Sequence, residues 1–371
     1  MGLAAASVLA GLVLLGAGWY YADTLKSGAL AVNHDADELD LEVVALEGGV
    51  ITLKPTSADD DGDWSQNGTF GLEWEDGYGR VGEIVDSSGE RVVRRFAAVR
   101  GSPEIGAAAR LDSFAFSGDP LASRGIPFRE VTYTSPLGDF PAWLTEGPGD
   151  VWAIFVHGKG ADREEALRML PAVAQLGVPS LIITYRNDEG LAADPSGLYR
   201  YGETEWEDLQ GAIQYALDQG AKRVVLVGYS MGGAIVIAFL YRAPLADRVA
   251  GVILDSPVLD LEAVVDWGAR SRFAPWPFKD VGKAIAGGRF DIDWAGLNYL
   301  RRADELAAPI LLFHGGDDEK VPVRTSDQLA AARPDLTTYV RVAGAGHVRS
   351  WNSDPETYEA AVNDFLLRVL R

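Results

Sequence analysis

From about residue 125 onward, apolar runs alternate with amphipathic stretches. Strand-like runs fall at 128–134, 142–146, 151–157, 180–185, 223–228, 251–255, 310–314 and 338–342. The later runs are continuous and β-branched, as parallel strands buried on both faces require. Helical segments lie between them. Asp162 with Glu165, and Thr204 with Glu207, have capping-box spacing, and Gly220 stands where the second of these helices ends. A last helix is predicted from near Pro355 to the chain end. This alternation predicts a doubly wound α/β domain over 125–371, with a mostly parallel sheet of about eight strands. It breaks once, over about 257–303. That stretch holds Trp267, Phe273, Trp276, Phe290, Trp294 and Tyr299. It is expected to be a helical, aromatic cap insertion, and the same rings would bury it on the main body.

Residues 33–120 read differently. Short strands are predicted at 50–54, 69–74, 80–85 and 91–99, with turn-rich stretches at 57–62 and 86–89 and no helical period. This is the pattern of a small β-rich domain. Gly77, Gly79 and Gly82 satisfy G-x-G-x-x-G, but a strand-like segment follows where a dinucleotide site needs a helix. They are read as turn glycines. Asp59, Asp60, Asp61 and Asp63 resemble a calcium loop, but Gly68 stands where the final acid belongs. A solvated acidic turn is expected. His34, beside Asp35 and Asp37, is read as an exposed linker residue.

Ahead of these, Gly2 to Ala22 carry no charge. As a helix at ~1.5 Å per residue they span roughly the ~30 Å hydrocarbon core. Trp19, Tyr20 and Tyr21 stand where an interfacial aromatic belt would lie. A signal peptide wants a basic n-region, which is missing here. Residues 1–23 are therefore expected to be an uncleaved transmembrane anchor with the rest of the chain extracytoplasmic. Cleavage would make the protein secreted.

Composition narrows the chemistry. The 371 residues carry a formal charge of −21, so a nucleic-acid partner is not expected. There is no cysteine, which removes disulfides, thiolate metal sites and cysteine nucleophiles.

Gly228-Tyr229-Ser230-Met231-Gly232 follows one predicted strand and opens a helix. A nucleophile elbow belongs at such a place. The turn is sharp, so Gly228 and Gly232 must be tiny, and the Ser230 hydroxyl is lifted above the sheet. A serine hydroxyl needs a general base. Of the four histidines, His34 lies outside this domain, and His157 and His314 each end a strand. His347, in a Gly-rich loop after the last strand, is the expected base. Its carboxylate partner is expected to be Asp318, with Asp317 its neighbour and Asp255 a more distant candidate suited to helix capping or cap anchoring. The oxyanion donors are expected to be the Met231 and Lys159 amides. Lys159 lies in His157-Gly158-Lys159-Gly160, whose glycines allow close backbone approach, while its ammonium is expected to be solvated. His157 is read as structural. The chain order Ser, Asp, His is that of one particular fold.

Residues from about 125 to 371 resemble an α/β-hydrolase of the esterase/lipase or serine-peptidase-like branch. The motifs that carry the resemblance are His157–Gly160, Gly228–Gly232, His314–Pro322 and Gly346-His347. Many members have His before the serine, where Tyr229 stands here, and Tyr229 is expected to shape the pocket. The resemblance implies hydrolysis of a small-molecule ester, thioester or amide through an acyl-enzyme, with no cofactor and no metal. An aromatic cap favours an apolar acyl or alkyl group, hence a carboxylesterase. The alternatives are a peptidase or amidase acting on short peptides, and a non-catalytic hydrolase-fold binding protein.

Overall fold

A computed structural model of the chain describes residues 2–57, 63–271 and 276–371. Asp59, Asp60, Asp61 and Phe273 lie outside the described residues.

The β-rich part is a closed barrel. Its strands are β1 (Leu41–Glu47), β2 (Val50–Pro55), β3 (Phe70–Trp74), β4 (Gly77–Ser88), β5 (Arg91–Arg100) and β6 (Ala108–Asp112), in the order β1-β2-β5-β4-β3-β6. Alternate residues point inward, so Val43, Ile51, Leu53, Leu72 and Val81 fill the barrel. Closure removes the exposed edges that four strands alone would leave. The two strands absent from the sequence reading, β1 and β6, pair with each other to close it. Gly77 and Gly79 are not turn residues, because both lie inside β4. A Cβ at Gly77 would sit 2.2 Å from the Trp74 ring, and one at Gly79 2.5 Å from the Phe96 ring. They are glycines because two aromatic rings occupy their side-chain space.

The larger body holds β7 (Phe128–Ser135), β8 (Gly138–Thr145), β9 (Val151–Val156), β10 (Ser180–Ile183), β11 (Arg223–Tyr229), β12 (Val249–Asp255), β13 (Ile310–Gly315) and β14 (Thr337–Val342). They form one sheet in the order β14-β13-β12-β11-β9-β10-β8-β7. β8 runs antiparallel to both its neighbours, β7 and β10, and β9 to β14 are mutually parallel. The central strands are buried throughout. Their alternate side chains enter two separate cores, with Ile154, Leu226 and Leu312 on one face and Phe155, Val227 and Phe313 on the other. Helices cover both faces, which is why these strands read as unbroken apolar runs. From β9 the chain proceeds to β10 on one side, then returns to β11 on the other. The crevice at that switch, outside the strand C-termini, is where open α/β sheets bind ligands.

Neither capping box forms. Residues 163–168 make a 3-10 helix, and Asp162 accepts from the Glu164 amide instead. Thr204 donates to Asp194, and Glu207 pairs with buried Arg186.

After β12 the insertion supplies helices Leu261–Ser271 and Phe278–Phe290, joined by Lys283 to Glu262 (2.8 Å) and Asp266 (2.9 Å). Its aromatics tie it down. Tyr299 donates to the Tyr201 carbonyl, the Trp267 indole to the Glu319 carbonyl, and Trp294 packs on Gly287.

The N-terminal helix Gly2–Leu25 is long and apolar enough to cross a membrane or to act as a signal sequence. Val8, Leu9, Leu12, Trp19 and Tyr20 are exposed. Its last turns lie against helix Phe278–Phe290. Gly18 faces Val281 and Ile285, Gly282 faces Tyr21, and Arg289 pairs with Asp23 at 2.8 Å while its guanidinium covers Trp19. The following turn, Lys26–Leu30, ends on the main body, where Ala31 bridges to Leu198.

Candidate active site

Ser230 sits between the end of β11 and helix Met231–Arg242 with φ 48° and ψ −114°, a strained backbone for a residue with a side chain. The strain is imposed by packing. A Cβ at Gly232 would lie 2.1 Å from the Val156 carbonyl oxygen, and one at Gly228 2.7 Å from the Gly232 oxygen. Only glycine lets helix and strand close to that distance, and the closure pushes Ser230 outward toward the sheet edge.

The His347 loop follows β14. Its Nε2 lies 2.8 Å from Ser230 Oγ, and its Nδ1 2.8 Å from Asp318 Oδ2. Asp318 is buried, whereas Asp317 is exposed, which separates the two neighbours. The second Asp318 oxygen accepts from the Lys320 (2.9 Å) and Val321 (2.8 Å) amides. Burial alone would raise this carboxyl. Charge interaction with His347, with hydrogen bonds from His314 and His347, outweighs it and holds the group well below the usual carboxylate range. An ionised Asp318 accepts the Nδ1 proton, which leaves Nε2 to receive the serine proton.

Asp255 is neither a cap nor an anchor for the insertion. It is buried and accepts from Ser350 Oγ at 3.0 Å, on the His347 loop. Its neighbour Ser256 accepts the Val348 amide. Tyr229 does not shape the cavity either. It is buried in the second core with the Arg168 guanidinium over its ring.

The loop after β9 is rigid. His157 Nε2 lies 3.0 Å from Asp188, its Nδ1 3.0 Å from the Gly158 carbonyl, and its ring stacks on Tyr185. Both ring nitrogens thus face acceptors. Burial opposes charge here, but Asp188 outweighs it and the imidazole is pushed up to about 9. The sign follows from linkage. A raised histidine stabilises fully below its unfolded value of about 6.5, and the contribution is lost as pH rises through about 9. The melting temperature of the wild type is therefore expected to fall across that alkaline range. Asp188→Asn removes the charge that raises His157, so calorimetry should find a lower melting temperature at neutral pH and a flatter slope above it. Parallel slopes would mean a neutral imidazole.

Gly158 lies against Ser230, and its amide donates to Glu165 at 2.8 Å. Lys159 and Gly160 line the same cavity as Ser230. The Lys159 ammonium is not solvated as expected. It donates to the Gly28 (2.7 Å) and Ala29 (3.3 Å) carbonyls of the turn that follows the N-terminal helix.

Three residues that support this arrangement were not assigned to it from the sequence. Glu165, assigned to a cap, holds the Gly158 amide instead. Buried Arg168 lies 3.6 Å from Glu165 and donates to the Val348 carbonyl (2.7 Å) and Asn352 (2.9 Å). This pair ties the loop after β9 to the His347 loop. His314 Nε2 lies 3.2 Å from Asp318. Its signal was the run His314-Gly315-Gly316-Asp317-Asp318, which places an imidazole four residues from the carboxylate.

The cavity over Ser230 is about 420 Å³. Its walls are mostly polar and carry both signs of charge, with Lys159, Lys320 and Arg349 against Asp37, Asp317 and Glu319. None of the described aromatics of the insertion lines it. Trp267, Trp294 and Tyr299 make their contacts elsewhere and Trp276 is exposed, so these rings do not line the space over the serine. A larger cleft of about 860 Å³ adjoins it and shares Asp37, Gly160 and Ala161. Asp35, Glu73, Glu75, Glu164 and Asp188 give that cleft an acidic wall. Among the described residues no group of three or more His, Cys, Asp or Glu is arranged to hold a metal ion.

Residues 153–361, more than half of the chain, match the alpha/beta hydrolase family. The chain belongs to that family. Residues 42–112, the barrel, match a domain of unknown function (DUF8805). The hydrolase is 26% identical over 257 residues to the uncharacterised protein Rv2307c of Mycobacterium tuberculosis, covering 66% of this chain and 79% of that one. Among solved structures it is similar to the Pyrococcus furiosus esterase Pf2001, at 21% identity and a TM-score of 0.54 over 69% of this chain and 97% of that one. A puromycin-hydrolysing peptidase of Mycobacterium tuberculosis matches 88% of this chain and 47% of its own, at 18% identity and a TM-score of 0.54. These two likenesses show the fold.

Proposed function

We propose that this alpha/beta hydrolase is a serine hydrolase that cleaves a carboxylic ester through an acyl-enzyme. The observation that carries the reading is the unbroken chain of two 2.8 Å contacts from Ser230 through His347 to Asp318. Ser230 Oγ attacks the carbonyl carbon as His347 Nε2 takes its proton. The Met231 and Lys159 amides hold the oxyanion. The tetrahedral species collapses, the carbon–oxygen bond to the leaving group breaks, and His347 returns the proton to the departing oxygen. Water then attacks the acyl-serine with His347 again as base, releasing acid and free serine. Asp318 stays ionised throughout.

The expected apolar acyl preference has no support in the cavity walls, and a substrate with polar groups fits them better. The acidic wall of the adjoining cleft favours a second reading, cleavage of an amide in a substrate that carries a cationic amine. The peptidase likeness is in keeping with it. We further propose that residues 1–23 anchor the hydrolase (125–371) and its β-rich domain (33–120) to a membrane, with the body extracytoplasmic.

The test is labelling with a fluorophosphonate, read by intact mass, on the wild type beside Ser230→Ala. A single adduct on the wild type and none on the variant is expected. A folded wild type without an adduct would favour a binding protein. A panel of esters against aminoacyl amides separates the two enzymatic readings.

A further inference from the structure

The barrel sends a loop into the catalytic cavity. Between β2 and β3 the chain passes through Trp64, Gln66 and Gly68. Arg94, fully buried within the barrel, donates from its guanidinium to the carbonyls of Trp64 (2.9 Å), Gln66 (2.9 Å) and Gly68 (3.2 Å). One side chain thus holds three alternate carbonyls of the loop. The loop's far end is bolted to the hydrolase. The Thr69 amide donates to the Asn352 carbonyl, and the Asn352 side chain donates back to the Thr69 carbonyl, each at 2.8 Å. A Cβ at Gly68 would lie 2.3 Å from that same Asn352 oxygen, so the contact admits only glycine.

What the loop delivers is Gln66. Its amide lines the cavity that holds Ser230 and His347. Gln66 Oε1 accepts from Arg349 at 3.0 Å. Its Nε2 lies within 2.9 Å of where a Cβ on Gly346 would be, next to the proposed base. Gly346 and Arg349 flank His347 on the chain. In the proposed reaction His347 protonates the departing oxygen, so groups clustered around it face the leaving group. An amide placed there offers a hydrogen bond to a polar leaving group and nothing to an alkyl one.

We propose that the barrel completes the substrate site: Gln66, braced by Arg349, contacts the leaving group and selects one that bears a hydrogen-bonding group over an alkyl group of similar size. This rests on the serine-hydrolase reading. It gives the barrel a part in specificity, distinct from docking the enzyme to something else.

The test uses the full-length chain and two phenyl acetates, one with a para-carboxamide and one with a para-ethyl group. In Gln66→Met and Gln66→Leu the ratio of kcat/KM, carboxamide over ethyl, is expected to fall about tenfold relative to wild type, carried by KM. Fluorophosphonate labelling of Ser230 in each variant reports whether the catalytic residues are still assembled, and the Met variant keeps the side-chain length should Leu disturb the loop. Where turnover of either ester is too slow to measure, the same pair is compared as competitors that protect Ser230 from the probe. An unchanged ratio overturns the proposal, whether both rates fall together (Gln66 as a structural prop) or neither moves. A wild type that takes no label sinks the serine-hydrolase reading and this inference with it. A labelled wild type with an unchanged ratio sinks only the barrel's role.

Discussion

Alanine at His347 is expected to lower turnover of a small activated ester by on the order of 10⁶ while the protein stays folded. The expectation separates chemistry from architecture. The His347 loop is not held by its imidazole. It is held by the Val348 amide on Ser256, the Val348 carbonyl on Arg168, and Ser350 on Asp255. Removing the ring deletes the acceptor 2.8 Å from Ser230 Oγ and leaves those contacts in place. Ser230 then keeps its strained elbow without a base, and an un-ionised hydroxyl is a weak nucleophile. Stopped-flow hydrolysis gives the rate, and calorimetry gives the fold. The melting temperature should stay within a few degrees of wild type, and fluorophosphonate labelling should slow in step with turnover. A variant that retains a hundredth of wild-type activity would show that another group takes the proton, and the assignment of His347 would fail.

Much of this site was legible in the sequence, for a physical reason. An elbow needs two glycines at fixed spacing because backbone meets backbone there: a Cβ at Gly228 would lie 2.7 Å from the Gly232 oxygen. Such constraints act between near neighbours, so they leave a local mark. The central strands of the main sheet were legible for a similar reason. Burial on both faces requires apolar residues at every position, and no loop sustains that. What stayed hidden depends on partners that no local pattern specifies. Glu165 looks like a capping residue until Gly158 and Arg168 are placed beside it. Arg94 looks like a surface residue of a barrel strand until a loop 26 to 30 residues earlier folds over it. β1 and β6 have mixed burial with no clean alternation to mark them, and they take their places by pairing with β2 and β3 and with each other. Trp294 and Tyr299 do bury the insertion, whereas Trp276 stays 77% exposed. Their second assignment, to the cavity, failed because an indole contacts whatever lies nearest, and here that is the insertion's own floor.

The same long-range logic connects the two ends of the molecule. The turn that follows the N-terminal helix accepts from the Lys159 ammonium, and Lys159 belongs to the loop that faces Ser230. Helix Gly2–Leu25 is also packed on the insertion through Gly18 and Gly282, where no side chain fits between. An apolar N-terminal segment that served only as a tether would need neither contact.

Asparagine at Asp318 should cost on the order of 10⁴ in turnover, less than loss of the histidine but more than any neighbouring carboxylate. The isosteric amide fills the same space and still accepts the Lys320 and Val321 amides through one oxygen. With that oxygen on the two backbone amides, the side-chain N–H falls against His347 Nδ1; turned over, an uncharged oxygen faces Nδ1 and the NH2 meets the Lys320 and Val321 amides donor to donor. The N–H choice forces the proton onto Nε2, the atom that must receive the serine proton, so the base is blocked. The oxygen choice keeps the tautomer but removes the negative charge that stabilises the imidazolium in the transition state. The Lys320 and Val321 amides decide for the first orientation, and His314 does not oppose it. Its Nε2 lies 3.1 Å from the Val321 carbonyl as well as 3.2 Å from Asp318, so its ring N–H has an acceptor whichever way the new amide turns. The amide is therefore free to adopt the blocking orientation, and the full loss is expected. Asp317→Asn is the control, because Asp317 is exposed and makes no contact with His347 of the kind that orients a tautomer. It should change kcat by an order of magnitude at most. Steady-state kinetics on both variants with one activated ester is sufficient. If Asp317→Asn were the more damaging substitution, the acid would have to be reassigned by one residue, and the depressed Asp318 carboxyl would need another explanation.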